Sequence, residues 1–169
     1  VLKLPANLTD IGVYAFAYCE NLTSVSFPES LVTIGDSAFY DAGLTDLNLP
    51  ANLTAIGGRA FSRCENLTAL DLPESLTTIG DYAFADCTGL AALNLPEKLT
   101  TIGNSAFRNC TGILSMDLSN CTSIGDSLFQ GCTSLEKVVL PAGMTEMPVN
   151  MFSGCTQLSE IENLAALQV

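Results

Sequence analysis

Leu67-Thr-Ala-Leu70-Asp-Leu72-Pro73-Glu-Ser-Leu76-Thr-Thr-Ile79-Gly80-Asp81-Tyr82-Ala-Phe84-Ala-Asp-Cys87 is one turn of a pattern that runs through the whole chain. Its first part alternates apolar and polar residues, as a short half-buried strand does. Pro73 ends that strand, because proline cannot continue a ladder of backbone hydrogen bonds. Leu76 and Ile79 are expected to point inward from the loop that follows. Gly80 is expected to permit a bend that a side chain would hinder. Asp81 is placed as the N-cap of a short helical turn, with Phe84 and Cys87 on one face of it.

The same unit recurs outward from this stretch in both directions. Phe16, Phe39, Phe61, Phe84, Phe107, Phe129 and Phe152 are spaced by 22 or 23 residues. Pro5, Pro28, Pro50, Pro73, Pro96 and Pro141 keep that period, with Ser119 in the proline's place in the sixth unit. Gly12, Gly35, Gly57, Gly80, Gly103 and Gly125 follow it too. A fixed period of this length marks a solenoid, in which units that cannot bury an apolar side alone do so by stacking. Strands are expected near residues 2–4, 22–27, 44–49, 67–72, 90–95, 113–118, 135–140 and 158–162, in one parallel sheet. The phenylalanines form a spine inside it. Two units depart from the pattern. The second has Ala42 for the cysteine and is one residue short before Leu44. In the sixth, also one short, Cys121 or Thr122 must replace the loop leucine.

The unit L-x-L-P-x-x-L-x-x-I-G-x-x-A-F-x-x-C closely resembles the BspA-like class of bacterial leucine-rich repeats, over essentially the whole chain. The resemblance implies an α/β repeat solenoid, with a parallel concave β-sheet and short helical turns on the convex side. It also implies an extracellular or cell-surface protein, similar to adhesins that bind host matrix proteins or other cells. Residues 1–169 then form one leucine-rich-repeat domain of about seven repeats. Because Val1 opens inside the pattern and no atypical cap is visible at either end, the chain reads as part of a longer protein. Its ends are expected to expose core leucines and strand edges, and so to favour end-to-end self-association.

Composition narrows the function. Eighteen acidic residues against six basic ones give a net charge of -12, which repels nucleic acid and anionic membranes alike. No apolar run is long enough to insert into a membrane. The chain contains no histidine, so Ser-His and Cys-His catalytic pairs are excluded, and neither a cofactor nor a metal site is expected. Six cysteines, Cys19, Cys64, Cys87, Cys110, Cys132 and Cys155, share one repeat position. Stacked neighbours there fall within disulfide range, yet a core-facing column of free thiols, each a small hydrophobe, is the expected state. Asp71 and Asp117, about 10 Å apart by strand spacing, loosely match an inverting carboxylate pair. A shallow face lacks the water exclusion such a hydrolase needs, so no enzymatic activity is expected.

Binding remains. The outward strand positions are Ser24, Asp46, Ala69, Ala92, Ser115, Lys137 and Glu160 in one row and Ser26, Asn48, Asp71, Asn94, Asp117, Val139 and Glu162 in the next. Their polar members together are the leading candidate surface for a protein or glycan partner. Tyr14, Tyr18, Tyr40 and Tyr82, all on the turns, are an alternative convex patch, since tyrosine is enriched at interfaces. A spacer that holds another domain away from the cell is the alternative function. Six glycosylation sequons, at Asn7, Asn21, Asn52, Asn66, Asn109 and Asn120, follow from repetition of short strings.

Overall fold

The computed structural model describes residues 1–163. Seven stacked coils each carry one phenylalanine of the spine and begin with an apolar-x-apolar segment, and an eighth segment in the same register follows Phe152. All of these but the fifth coil's Leu93–Leu95 supply strands: β1 (Leu2–Lys3), β3 (Val25–Ser26), β5 (Asp46–Asn48), β7 (Ala69–Asp71), β10 (Ser115–Asp117), β12 (Lys137–Val139) and β13 (Glu160–Glu162). All pair in parallel with the next coil, but as three separate groups rather than the one sheet expected: β1 with β3, β5 with β7, and β10 with β12 and β13. The first interruption falls where the second unit drops a residue before Leu44. At the second, a lone bridge joins Ala69 to Ala92.

A second sheet, continuous over six coils, lies in what the sequence pattern presents as loop. It consists of β2 (Asp10–Ile11), β4 (Thr33–Ile34), β6 (Ala55–Ile56), β8 (Thr78–Ile79), β9 (Thr101–Ile102) and β11 (Ser123–Ile124). Two-residue strands are too short for their own periodicity to show. Their register is set by the glycine that follows each. Gly35, Gly57, Gly80 and Gly103 each donate to an isoleucine carbonyl one coil back at 2.8 Å. A Cβ on Gly80 would lie 2.6 Å from the Gly58 nitrogen, and one on Gly103 would lie 2.5 Å from the Asp81 nitrogen. The glycine is therefore required by the close approach of neighbouring coils, not by a bend.

The expected helical turns are not helical. Along Gly80–Cys87, Ala83, Ala85 and Cys87 donate amides to carbonyls three residues back, whereas Tyr82, Phe84 and Asp86 donate to Asn104, Ala106 and Arg108 in the next coil. Alternate amides thus serve the stack, so the i→i−4 bonds of a helix cannot form. Each turn holds two residues in the left-handed region, such as Tyr82 at φ 56° and Asp86 at φ 62°. Nor does Asp81 cap its own turn. Its Oδ1 accepts the amide of Asn104 in the next coil at 2.7 Å, and Asn104 Oδ1 accepts that of Asp126 at 2.8 Å.

The core lies between the two strand stacks and the turns. Phe39, Phe61, Phe84, Phe107 and Phe129 are completely buried, their rings nearly parallel with successive centroids 5.4–6.1 Å apart. Leu76 and Ile79 point inward as expected. In the sixth coil strand register sets Ser119 opposite Pro141 of the next coil, but the turn starts one residue earlier, at Leu118. The Cys121 amide bonds the Leu118 carbonyl as Leu99 bonds that of Pro96. Cys121, buried, replaces the loop leucine, and Thr122 and Ser119 are exposed. The coil is one residue short here, so Leu118 both follows the strand and starts the turn.

Candidate functional site

The Leu-x-Leu strands alternate, so one residue in two faces away from the core. Ser26, Asp46, Asn48, Asp71, Asn94, Ser115, Asp117, Glu160 and Glu162 are exposed, and Ser24 and Lys137 are half-buried, in agreement with the outward rows read from the pattern. Strand register places Asn48 beside Asp71 and Ser115 beside Lys137. Asn94 lies outside any paired strand, so Asn48, Asp71, Asn94 and Asp117 do not form one continuous polar ladder. Asp117 is also engaged locally, its Oδ1 accepting the Ser119 amide at 2.9 Å. This turn stands where the other coils have proline.

At the last described coils, Lys137 Nζ sits 2.9 Å from Glu160 Oε1 and 2.5 Å from Glu162 Oε1. The Glu162 and Glu160 carboxylates hold the Lys137 ammonium well above the usual lysine range. In return, the hydrogen bond from Lys137 holds the Glu160 carboxyl below its ordinary value. The face therefore carries five carboxylates, at Asp46, Asp71, Asp117, Glu160 and Glu162, against two lysines, of which Lys3 is exposed beside Ser26 and Lys137 is paired within the chain. Among the described residues, no group of three or more His, Cys, Asp or Glu is placed to hold a metal ion. Asp71 is exposed, and Asp117, also exposed, borders a recess of about 230 Å³ that Asp71 does not line.

The tyrosines divide differently from the pattern's suggestion. Tyr14 and Tyr18 are 60% and 63% exposed, but both sit in the first coil. Tyr40 and Tyr82, which have a coil on either side, are half-buried. Tyr18 meets Tyr40 edge-on at 5.4 Å, and the Arg59 guanidinium lies 4.9 Å from the centre of the Tyr82 ring. The Tyr40 hydroxyl, and then Asp41, hold the Arg63 guanidinium above its ordinary value. In interior coils these side chains mostly clad the turns.

The cysteine column has a function within the fold that spacing alone does not reveal. The thiols of Cys64, Cys87, Cys110, Cys132 and Cys155 each donate to a phenylalanine carbonyl in the preceding coil, at 3.0–3.3 Å. All seven cysteines are free. Burial pushes the Cys64 and Cys132 thiols up to about 12, and those of Cys87 and Cys110 well above the ordinary range. Protonated and enclosed, they are poor nucleophiles. Two sequon asparagines are likewise structural. Asn109 donates to Asp86 Oδ1 and Asn52 to the Glu29 carbonyl.

A family model described as "BspA type Leucine rich repeat region" matches residues 1–113 and 54–168, in six copies. No curated protein sequence matches the chain. Among solved structures, a leucine-rich-repeat protein of T. pallidum is similar, with 28% identity and a TM-score of 0.72 over 96% of this chain and 68% of that one. One from Bacteroides ovatus is 23% identical, with a TM-score of 0.64 over 98% of this chain and 58% of that one. The pneumococcal vaccine antigen PcpA is 22% identical, with a TM-score of 0.64 over 94% of this chain and 49% of that one. The chain thus spans about half to two thirds of the length of these proteins.

Proposed function

The chain belongs to the BspA-type leucine-rich-repeat family, and on that premise we propose that it is a non-catalytic, adhesin-like binding module of a bacterial cell surface. Its partner is a protein that presents a basic surface. The observation that supports this most is the imbalance of the strand face, where five exposed carboxylates stand against two lysines and one of these, Lys137, is already paired. That exposure recurs in interior coils, from Asp46 to Asp117, whereas strong tyrosine exposure is confined to the first coil. A stack of paired coils also holds the face rigid, which lowers the entropy lost on association. The pneumococcal antigen and the extracellular setting implied by the family's resemblance support the surface location.

The experiment is a triple substitution, Asp46→Ala with Asp71→Ala and Asp117→Ala, assayed against a cationic test protein such as lysozyme at low salt. Asp117 is included knowing that it also caps a turn, so a double variant without it serves as the folding control. Binding weakened at least tenfold, with the loss shrinking as salt screens the charges, supports the assignment. Unchanged binding excludes this face, and the Tyr14–Tyr18 turn is then the surface to test.

A further inference from the structure

The second sheet stops one coil early, and its last edge is left open inside the molecule rather than at its end. In five successive coils the isoleucine carbonyls, of Ile11, Ile34, Ile56, Ile79 and Ile102, each accept an amide of the next coil at 2.8–2.9 Å. A second carbonyl two residues earlier in each coil, from Thr9 to Thr100, is taken in the same way. In the sixth coil the corresponding acceptors are Thr122 and Ile124, and among the described residues no amide donates to either. For Ile124 the cause is visible in the sequence. Pro148 stands where the five coils before it each have a donating glycine, and proline has no N–H to give.

Both flanks of this gap stay closed. On one side β10 pairs with β12 over three residues. On the other, the amides of Ser127 and Phe129 bond the Val149 and Met151 carbonyls at 2.7 and 3.0 Å. Between them the sixth and seventh coils part around a slot of about 560 Å³. Its apolar walls are exposed relative to their counterparts. Ile124 and Met144 are only half-buried, while their counterparts Ile79 and Ile102, and Leu76 and Leu99, are at most 1% exposed. A Cβ on Gly143 would touch nothing within 4 Å. Glu146 is the single charged residue lining the slot.

We propose that this slot binds a short extended segment of a partner protein, added as a strand to the open edge of β11 and carrying a lysine or arginine that meets Glu146. The acceptors at Thr122 and Ile124 are two residues apart, the spacing at which one edge of an extended chain presents its amides. Strand addition supplies affinity through the main chain, and side-chain pockets supply selectivity. Met144 and Ile124 offer the apolar contact. The chain's charge of -12 favours a cationic occupant. This site is independent of the strand face described above, because it lies on the other stack of strands.

The test uses a blocked heptapeptide of alternating valine and lysine, with its affinity for the 169-residue chain measured by titration calorimetry. Saturable one-to-one binding is expected. N-methylation of the two alternate amides that face β11 should weaken it roughly tenfold per lost hydrogen bond. Glutamate in place of lysine, or Glu146→Gln in the protein, should also weaken it several-fold. Pro148→Gly restores the missing donor and should close the slot and abolish binding. Should that variant fold poorly, Gly143→Trp fills the slot instead. Absence of binding to the unaltered chain overturns the proposal. So does equal affinity of the N-methylated peptide, or full affinity in both slot-closing variants. If sedimentation shows that the slot is occupied by a second copy of the chain, the assigned partner is wrong. Retained peptide binding in the strand-face triple variant separates this site from the other.

Discussion

Raising the pH from 8 to 10 should destabilise this protein by several kcal/mol, through groups that never meet solvent in the folded state. Four thiols in the core column are pushed far up by burial, with Cys64 and Cys132 at about 12 and Cys87 and Cys110 well above their ordinary value of 9.0. An unfolded chain releases those protons above about pH 9, whereas the folded chain keeps them. The contribution is thus fully present below the unfolded value and is lost as the pH rises toward the folded ones. At pH 10 the unfolded state gains about 1.4 kcal/mol per thiol, or about 6 kcal/mol for the four. Domains of this size have roughly 5–15 kcal/mol in all. Urea unfolding followed by circular dichroism in reductant at pH 8 and pH 10 measures the difference. Cys87→Ala with Cys110→Ala lowers stability at both values but should remove about half of the pH-dependent loss. A loss below about 1 kcal/mol in the unaltered chain, or an equal loss in the double variant, would refute a buried, protonated thiol column.

Other substitutions probe the turns, the glycine column and the ends. Ser127, at φ 57°, should become about 1 kcal/mol more stable as glycine than as alanine, the reverse of their order in a helix. Denaturant midpoints decide between the two orders. Gly103→Ala drives a Cβ into the Asp81 and Gly80 backbone and should cost about 3 kcal/mol or more, read as a fall in thermal midpoint. Leu4, Leu8 and Phe16 in the first coil are only partly buried, so the isolated 169-residue chain should sediment faster as concentration rises. A constant sedimentation coefficient would show that these half-open faces do not attract one another.

The repeat, the phenylalanine spine and the outward strand rows were legible because each depends on side-chain period alone. Phe84 and Leu76 are buried for the reason their spacing indicates, and Asp71 is exposed for the same reason. What the pattern concealed lies in the backbone. A turn such as Gly80–Cys87 has the composition of a short helix, but its alternate amides find partners 22 residues away, which local propensity cannot register. Thr78-Ile79 is a strand only because Thr101-Ile102 lies beside it. Asp81 has the type and position of a helix cap, and its carboxylate is used by the next coil instead. The proline at 148 was present in the sequence but carried no meaning until the column of glycine donors was known. The strand-face residues were found by alternation. No such rule pointed to the slot, because it is made by a missing hydrogen-bond donor.

The break at Pro148 also fixes how the molecule answers to force. Backbone hydrogen bonds between coils run along the solenoid axis, so traction on the two ends loads them one coil boundary at a time rather than all together. Every boundary from the first coil to the sixth is tied by the isoleucine-to-glycine bond, and the boundary between the sixth and seventh is not. That boundary keeps the three-residue pairing of β10 with β12 and the turn bonds of Ser127 and Phe129. Traction across it is therefore carried by its two flanks alone, whereas each of the five boundaries before it shares the load with the continuous six-stranded sheet.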